Sequence, residues 1–168
     1  MKKKLLIPVL SLALLAGAGV LAYRSLGKAE RAPAINYVLL DGAKTDSSQW
    51  AGKVMLVNFW ATSCTTCVHE MPQIVATHEK YKARGFDTLA VAMSYDPPAF
   101  VSKFAESRKL PFGVAMDDNG EIARQFGRVQ LTPTTFLINK RGEIVKRYVG
   151  EPDFAALHAL IEQLMAQS

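Results

Sequence analysis

VNFWATSCTTCVHEMP, residues 57–72, holds both cysteines of the chain and joins two different local patterns. Its front half completes an apolar run, Val54–Trp60 (VMLVNFW), of the kind seen in a strand buried on both faces. From Cys64 onward the period changes. Cys67, Met71, Ile74, Val75, His78 and Tyr81 recur at helical spacing as far as Gly85, a natural stop. Pro72 lies within this helix and predicts a kink after its first turns. A core strand therefore runs almost directly into a helix, with Cys64 and Cys67 at the junction. In open α/β sheets, ligands and reactive groups collect at this carboxyl edge of the strands.

Outward from this segment the same alternation continues. On the N-terminal side, Ile35–Leu40 has strand character, followed by a turn at Asp41-Gly42 and a second weak strand. On the C-terminal side, Thr88–Met93 predicts a core strand, and Pro97-Pro98 opens a helix through Arg108. Phe112–Met116 predicts a short strand and Ile122–Phe126 a short helix. Thr134–Ile138 and Ile144–Val149 form a hairpin about Lys140-Arg141-Gly142. Phe154–Met165 is amphipathic, with Leu157, Ile161 and Leu164 on one stripe. The fold class is α/β, a mixed central sheet flanked by helices, with an N-terminal strand or hairpin extension.

Charge and hydropathy at the N-terminus set the compartment. Lys2, Lys3 and Lys4 account for three of the five net positive charges, so the basic pI of 9.3 marks a terminus and not a nucleic-acid surface. They precede an uncharged run, Leu5–Tyr23, closed by Arg24. As a helix that run spans roughly 28 Å, close to the ~30 Å hydrocarbon core. Lysines before it place the N-terminus in the cytoplasm and the remainder outside. The expected organisation is a signal-anchor segment over residues 1–23, a linker over 24–32 and a single domain over 33–168. The expected location is the bacterial inner membrane, single-pass, with the domain on the periplasmic side. A cleaved signal peptide is the rival reading, with Leu5–Leu15 as its apolar region and Ala16-Gly17-Ala18 as its cleavage site. Both readings export the domain.

Two cysteines in an exported chain often form a structural disulfide. Here they are three positions apart, and so small a loop gains little from constraining the unfolded chain. The spacing suits redox cycling. A thiolate attacks a disulfide, and a helix N-terminus offers unpaired N–H groups and a favourable dipole to the sulfur of Cys64. Cys67, one turn on and deeper, can close back on Cys64. Cys64 is the expected attacking residue and Cys67 the resolving one. A structural zinc site lacks its second cysteine pair, and haem attachment fails because Val68 stands between Cys67 and His69.

Residues 57–72 resemble the active-site segment of membrane-anchored bacterial thioredoxin-like proteins, the TlpA/ResA family. LTPTTFLINKRGEIVKRYVG (residues 131–150) resembles that family's second signature. The resemblance covers residues 33–167. It implies a thioredoxin fold in which Pro133 is a cis-proline facing the disulfide and shielding the thiols from metal. It implies that Thr132, Pro133 and Trp60 bind the substrate, Thr132 through backbone groups and Trp60 from beside the site, and that Glu70 is an active-site carboxylate. Asn58 stands where cytoplasmic thioredoxins carry a buried acid, so Glu70 is the expected proton acceptor for Cys67, with a raised pKa. His69 and His158 are expected to have no catalytic part. Two positions depart from the family pattern: Ser63 replaces a tryptophan before the first cysteine, and Thr66 a proline before the second.

The resemblance implies reduction of specific exported protein disulfides, as in cytochrome c maturation or copper-site assembly. Protein disulfides or dithiols are then the partners, and a transmembrane thiol carrier is the electron donor. No cofactor beyond the Cys64–Cys67 pair, no metal, no nucleic acid and a monomer are expected. A peroxiredoxin-like peroxide reductase is a competing reading, although Ala61 lacks the hydroxyl wanted three residues before a peroxidatic Cys64. A copper chaperone using both cysteines and a histidine is another, opposed by Pro133.

Overall fold

The computed structural model describes residues 30–167. In chain order the elements are β1 (Asn36–Val38), β2 (Lys44–Asp46), β3 (Val54–Trp60), α1 (Thr65–Tyr81), β4 (Phe86–Ala92) and α2 (Pro98–Arg108). Then follow β5 (Gly113–Met116), α3 (Glu121–Gln125), β6 (Thr134–Ile138), β7 (Ile144–Val149) and α4 (Phe154–Ala166). The main sheet has the order β5-β4-β3-β6-β7, while β1 and β2 form a separate hairpin. Strand β3 is central, parallel to β4 and antiparallel to β6, so the sheet is mixed as expected. Helices flank it in the thioredoxin arrangement.

Every residue of β3 is buried, which explains the continuous apolar run. Its alternate side chains serve two different cores. Val54, Leu56 and Trp60 pack with Cys67, Met71 and Ile74 of α1 and with Leu157, Ile161 and Leu164 of α4. Met55, Val57 and Phe59 pack on the other face with Ile122, Phe126 and Phe136. There the Phe59 ring meets Phe126 and Phe136 edge-on at centroid distances of 5.4 and 5.9 Å. The three residues of the α4 stripe are its buried ones, as the sequence periodicity requires. Asn58 shares the face of Leu56 and Trp60 and so points toward α1.

The boundaries move where pairing overrides local pattern. Strand β4 starts at Phe86, two residues before Thr88, because Val54 of β3 pairs with Phe86. Helix α1 ends at Tyr81, tightens into a 3₁₀ turn over Lys82–Arg84, and stops at Gly85 with φ 86°. Contacts of the domain reach back before Pro33. Arg31 bridges to Glu143, and the Ala32 amide donates to the Gly142 carbonyl at 2.9 Å, so two residues of the expected linker belong to the domain. The signal-anchor segment, residues 1–23, lies outside the described residues. Among the described residues no helix is long and apolar enough to cross a membrane.

Candidate active site

The loop from β3 delivers Cys64 to the N-cap position of α1, with extended backbone at φ −88° and ψ 105°. Its Sγ accepts the Cys67 N–H at 3.2 Å, and its carbonyl accepts the Val68 N–H at 3.1 Å. Cys64 and Cys67 are joined as a disulfide with their Cα atoms 5.2 Å apart. Cys64 is partly exposed and Cys67 is wholly buried. The first turn of α1 carries no acidic side chain, so the helix's positive end is unopposed by local charge. The Cys67 amide thus faces Cys64 Sγ, while the Cys67 sulfur is shut away from solvent.

Beneath the cysteines lies a buried polar pair. Glu70 and Asn58 are both without solvent exposure, and the Asn58 Nδ2 donates to Glu70 Oε1 and to Thr135 Oγ1, each at 2.9 Å. The register that pairs Asn58 with Thr135 puts these side chains on one face of the sheet. The second carboxyl oxygen, Glu70 Oε2, has no hydrogen-bond partner. Burial is the dominant cause that raises the Glu70 pKa from 4.5 to about 7; the Asn58 bond opposes it and the Glu151 charge adds to it. A carboxyl group that changes charge near neutral pH suits proton transfer, and Oε2 is the atom free to carry the proton. Asn58 carries no titratable proton itself, but its amide orients the Glu70 carboxyl group.

A third loop closes the site from the β4 side. Asp96, 2% exposed, accepts the Thr62 amide at 2.5 Å through Oδ2 and the Thr62 hydroxyl at 2.6 Å through Oδ1. The Met93 N–H also donates to the Trp60 carbonyl at 3.0 Å, so the β4–α2 loop is tied to the nucleophile loop at two points. The neighbouring Tyr95 hydroxyl lies 3.3 Å from Thr132 Oγ1. The Thr132–Pro133 peptide is cis, with Pro133 buried and Thr132 partly exposed.

Trp60 is fully buried and stacks obliquely on Phe104 with centroids 5.1 Å apart. It packs in the same cluster as Cys67 but has no surface to offer a substrate, so its place is structural support. His69 points outward and pairs with Glu151 at 3.2 Å. His158 bonds Thr77 Oγ1 at 2.8 Å, away from the cysteines' loop. Sequence reasoning missed Asp96 and Tyr95, because Asp-Pro-Pro reads simply as a turn opening α2. A signal existed in the parallel pairing of β3 with β4, which brings the residues after Trp60 and after Ala92 together. Among the described residues no three histidine, cysteine, aspartate or glutamate side chains cluster as a metal site.

The Redoxin family profile matches residues 27–161. The chain is similar to the thiol-disulfide oxidoreductase ResA of Bacillus cereus, 33% identical over 97% of this chain and 98% of that one. Among solved structures it resembles a Neisseria meningitidis protein classed as a thioredoxin, with 41% identity, a TM-score of 0.77, and coverage of 84% and 93% of the two chains. A thioredoxin-family thiol:disulfide interchange protein of Chlorobium tepidum gives 26% identity and a TM-score of 0.76, over 83% of this chain and 99% of that one. With a cysteine pair capping a helix over a buried carboxyl group, the chain belongs to the Redoxin family and is a ResA-like thiol–disulfide oxidoreductase.

Proposed function

We propose that this oxidoreductase works outside the cytoplasm as a reductase of specific protein disulfides, of the cytochrome c maturation or copper-site assembly type. The observation that carries the reading is the placement of Glu70, buried and ionising near pH 7, one helical turn beyond Cys67. The Cys64 thiolate attacks a substrate disulfide, forming a mixed disulfide and expelling the partner thiolate. Glu70 takes the Cys67 proton, and the Cys67 thiolate displaces the reduced substrate from Cys64. The protein disulfide and two substrate thiols result, with two electrons passed outward. Thr132 offers backbone groups to the bound segment beside Pro133, and no cofactor beyond the cysteine pair takes part.

Net reduction outside the cytoplasm needs a donor, which we assign to a transmembrane thiol carrier, because the exterior keeps no equivalent thiol pool. The uncharged run Leu5–Tyr23 behind three lysines supports anchoring of a monomeric domain to the membrane. Substitution tests the assignment of roles. Cys64→Ser is expected to abolish exchange, and Cys67→Ser to attack but accumulate mixed disulfides, whose trapped partners identify the substrates by mass spectrometry. Equal trapping by both variants would overturn it.

A further inference from the structure

Three segments lie about the redox centre: residues 61–68, 93–102 and 129–133. Together they carry a single charged side chain, Asp96, and that one is buried, although charged residues make up 21% of the chain. Three large side chains stand in water on this uncharged band, Tyr95 at 59%, Phe100 at 61% and Leu131 at 64% exposure. Scattered exposed apolar residues are ordinary on protein surfaces, but of these three Tyr95 and Leu131 sit on loops held in place by hydrogen bonds. Asp96 fixes the Tyr95 loop to Thr62, the Tyr95 hydroxyl reaches Thr132, and Thr134 Oγ1 donates to the Leu131 carbonyl at 2.7 Å. The band has clear limits. Charge resumes on one side at Lys103 and Arg108, which share a cleft with Thr62 and Phe100, and elsewhere at the exposed Arg128 and the His69–Glu151 pair.

We infer that Tyr95 and Leu131 are the specificity-determining edge of this site, reading an extended, uncharged substrate segment with apolar side chains beside its disulfide cysteine. The inference rests on Cys64 as the attacking residue. A chain held through a bond to Cys64 starts two residues from Thr62, and the Tyr95–Asp96 turn joins Thr62 to Thr132. Tyrosine suits the task, since its ring offers contact area at the cost of few torsions. Ser63 lacks the aromatic ring that the family pattern places before the first cysteine, and Tyr95 supplies one from the adjacent loop. A charged flank lying on Tyr95 and Leu131 would lose water against side chains that offer it no counter-charge.

Two ten-residue peptides, each with one cysteine disulfide-bonded to glutathione, test the inference. One flanks the cysteine with leucine and phenylalanine, the other with aspartate and lysine. The pre-reduced full-length protein reduces each by the exchange above, releasing glutathione and the peptide thiol. The parent is expected to favour the apolar peptide about tenfold in kcat/KM, the size of one anchoring contact. Tyr95→Ala and L131E should each bring that ratio below threefold, and Tyr95→Phe should keep it. A ratio is read because slower attack by Cys64, or partial unfolding, lowers both rates alike. Equal rates in the parent, or an undiminished ratio in Tyr95→Ala and L131E, would overturn the inference. Failure of the parent to reduce either peptide or oxidised glutathione would instead sink the reductase reading beneath it.

Discussion

Replacing Glu70 by glutamine should uncover a stability that the parent gives up to hold a carboxyl group in its core. Below pH 4.5 Glu70 is protonated in both the folded and unfolded states, and it contributes no pH dependence. Between 4.5 and about 7 the unfolded chain has ionised while the folded one keeps its proton, so unfolding releases a proton and stability falls as pH rises. Above pH 7 both states are ionised and the loss is complete. The rise from 4.5 to about 7, at 1.36 kcal/mol per unit, makes the loss about 3 kcal/mol. Glutamine keeps the volume and an acceptor for Asn58 but never ionises. It also buries an amide where Oε2 has no partner, a pH-independent cost of about 1–3 kcal/mol. The informative quantity is therefore the slope, not the offset. Urea unfolding of the oxidised proteins, in which neither cysteine titrates, should show Glu70→Gln gaining on the parent from pH 4.5 to 7 and holding level outside that window. Rapid mixing of the reduced proteins with a disulfide should show Cys64 attack unchanged and Cys67 resolution slowed about 10- to 100-fold at pH 7. A difference in stability that stays flat from pH 5 to 8, with resolution rates equal to the parent, would refute both the raised pKa and the role as base.

Further outcomes follow from the same geometry. Asn58→Ala removes the bond that favours the carboxylate, so the pH at which resolution accelerates should move upward, as a pH–rate profile will show. Alkylation of the reduced protein at mildly acidic pH should label the partly exposed Cys64 well before the buried Cys67, by mass spectrometry. Expressed in a bacterium, the full chain should fractionate with membranes and keep Lys2; a mature N-terminus near Gly19 would replace the anchor with a cleaved signal.

Much of this was legible in residues alone, for identifiable reasons. Strand β3 is buried on both faces, so its seven residues read as one apolar run, and α4 shows its period because one stripe meets the core. The cysteines declare themselves by spacing, and Glu70 only through the family resemblance of residues 57–72. What escaped depends on strand adjacency. Asn58 reads as a lost proton carrier until its register opposite Thr135 aims it at Glu70. Asp96 reads as part of a proline turn until β4 lies beside β3 and its carboxylate meets Thr62. Trp60 shows the converse. Its nearness to Cys67 was legible, but its complete burial under Phe104 was not.

The short N-terminal hairpin has a consequence for self-association. An open sheet ends in rows of unpaired amides and carbonyls, which invite another copy to add a strand. At the β5 end, the chain just after β1 takes that place: Leu39 bridges to Ala115, and the Leu40 amide donates to the Val114 carbonyl at 3.0 Å. At the β7 end, Lys146 and Arg147 are exposed in the middle of the outermost strand. One end is covered by the protein's own backbone and the other repels its like, so lateral stacking into fibrils is disfavoured at both margins of the sheet.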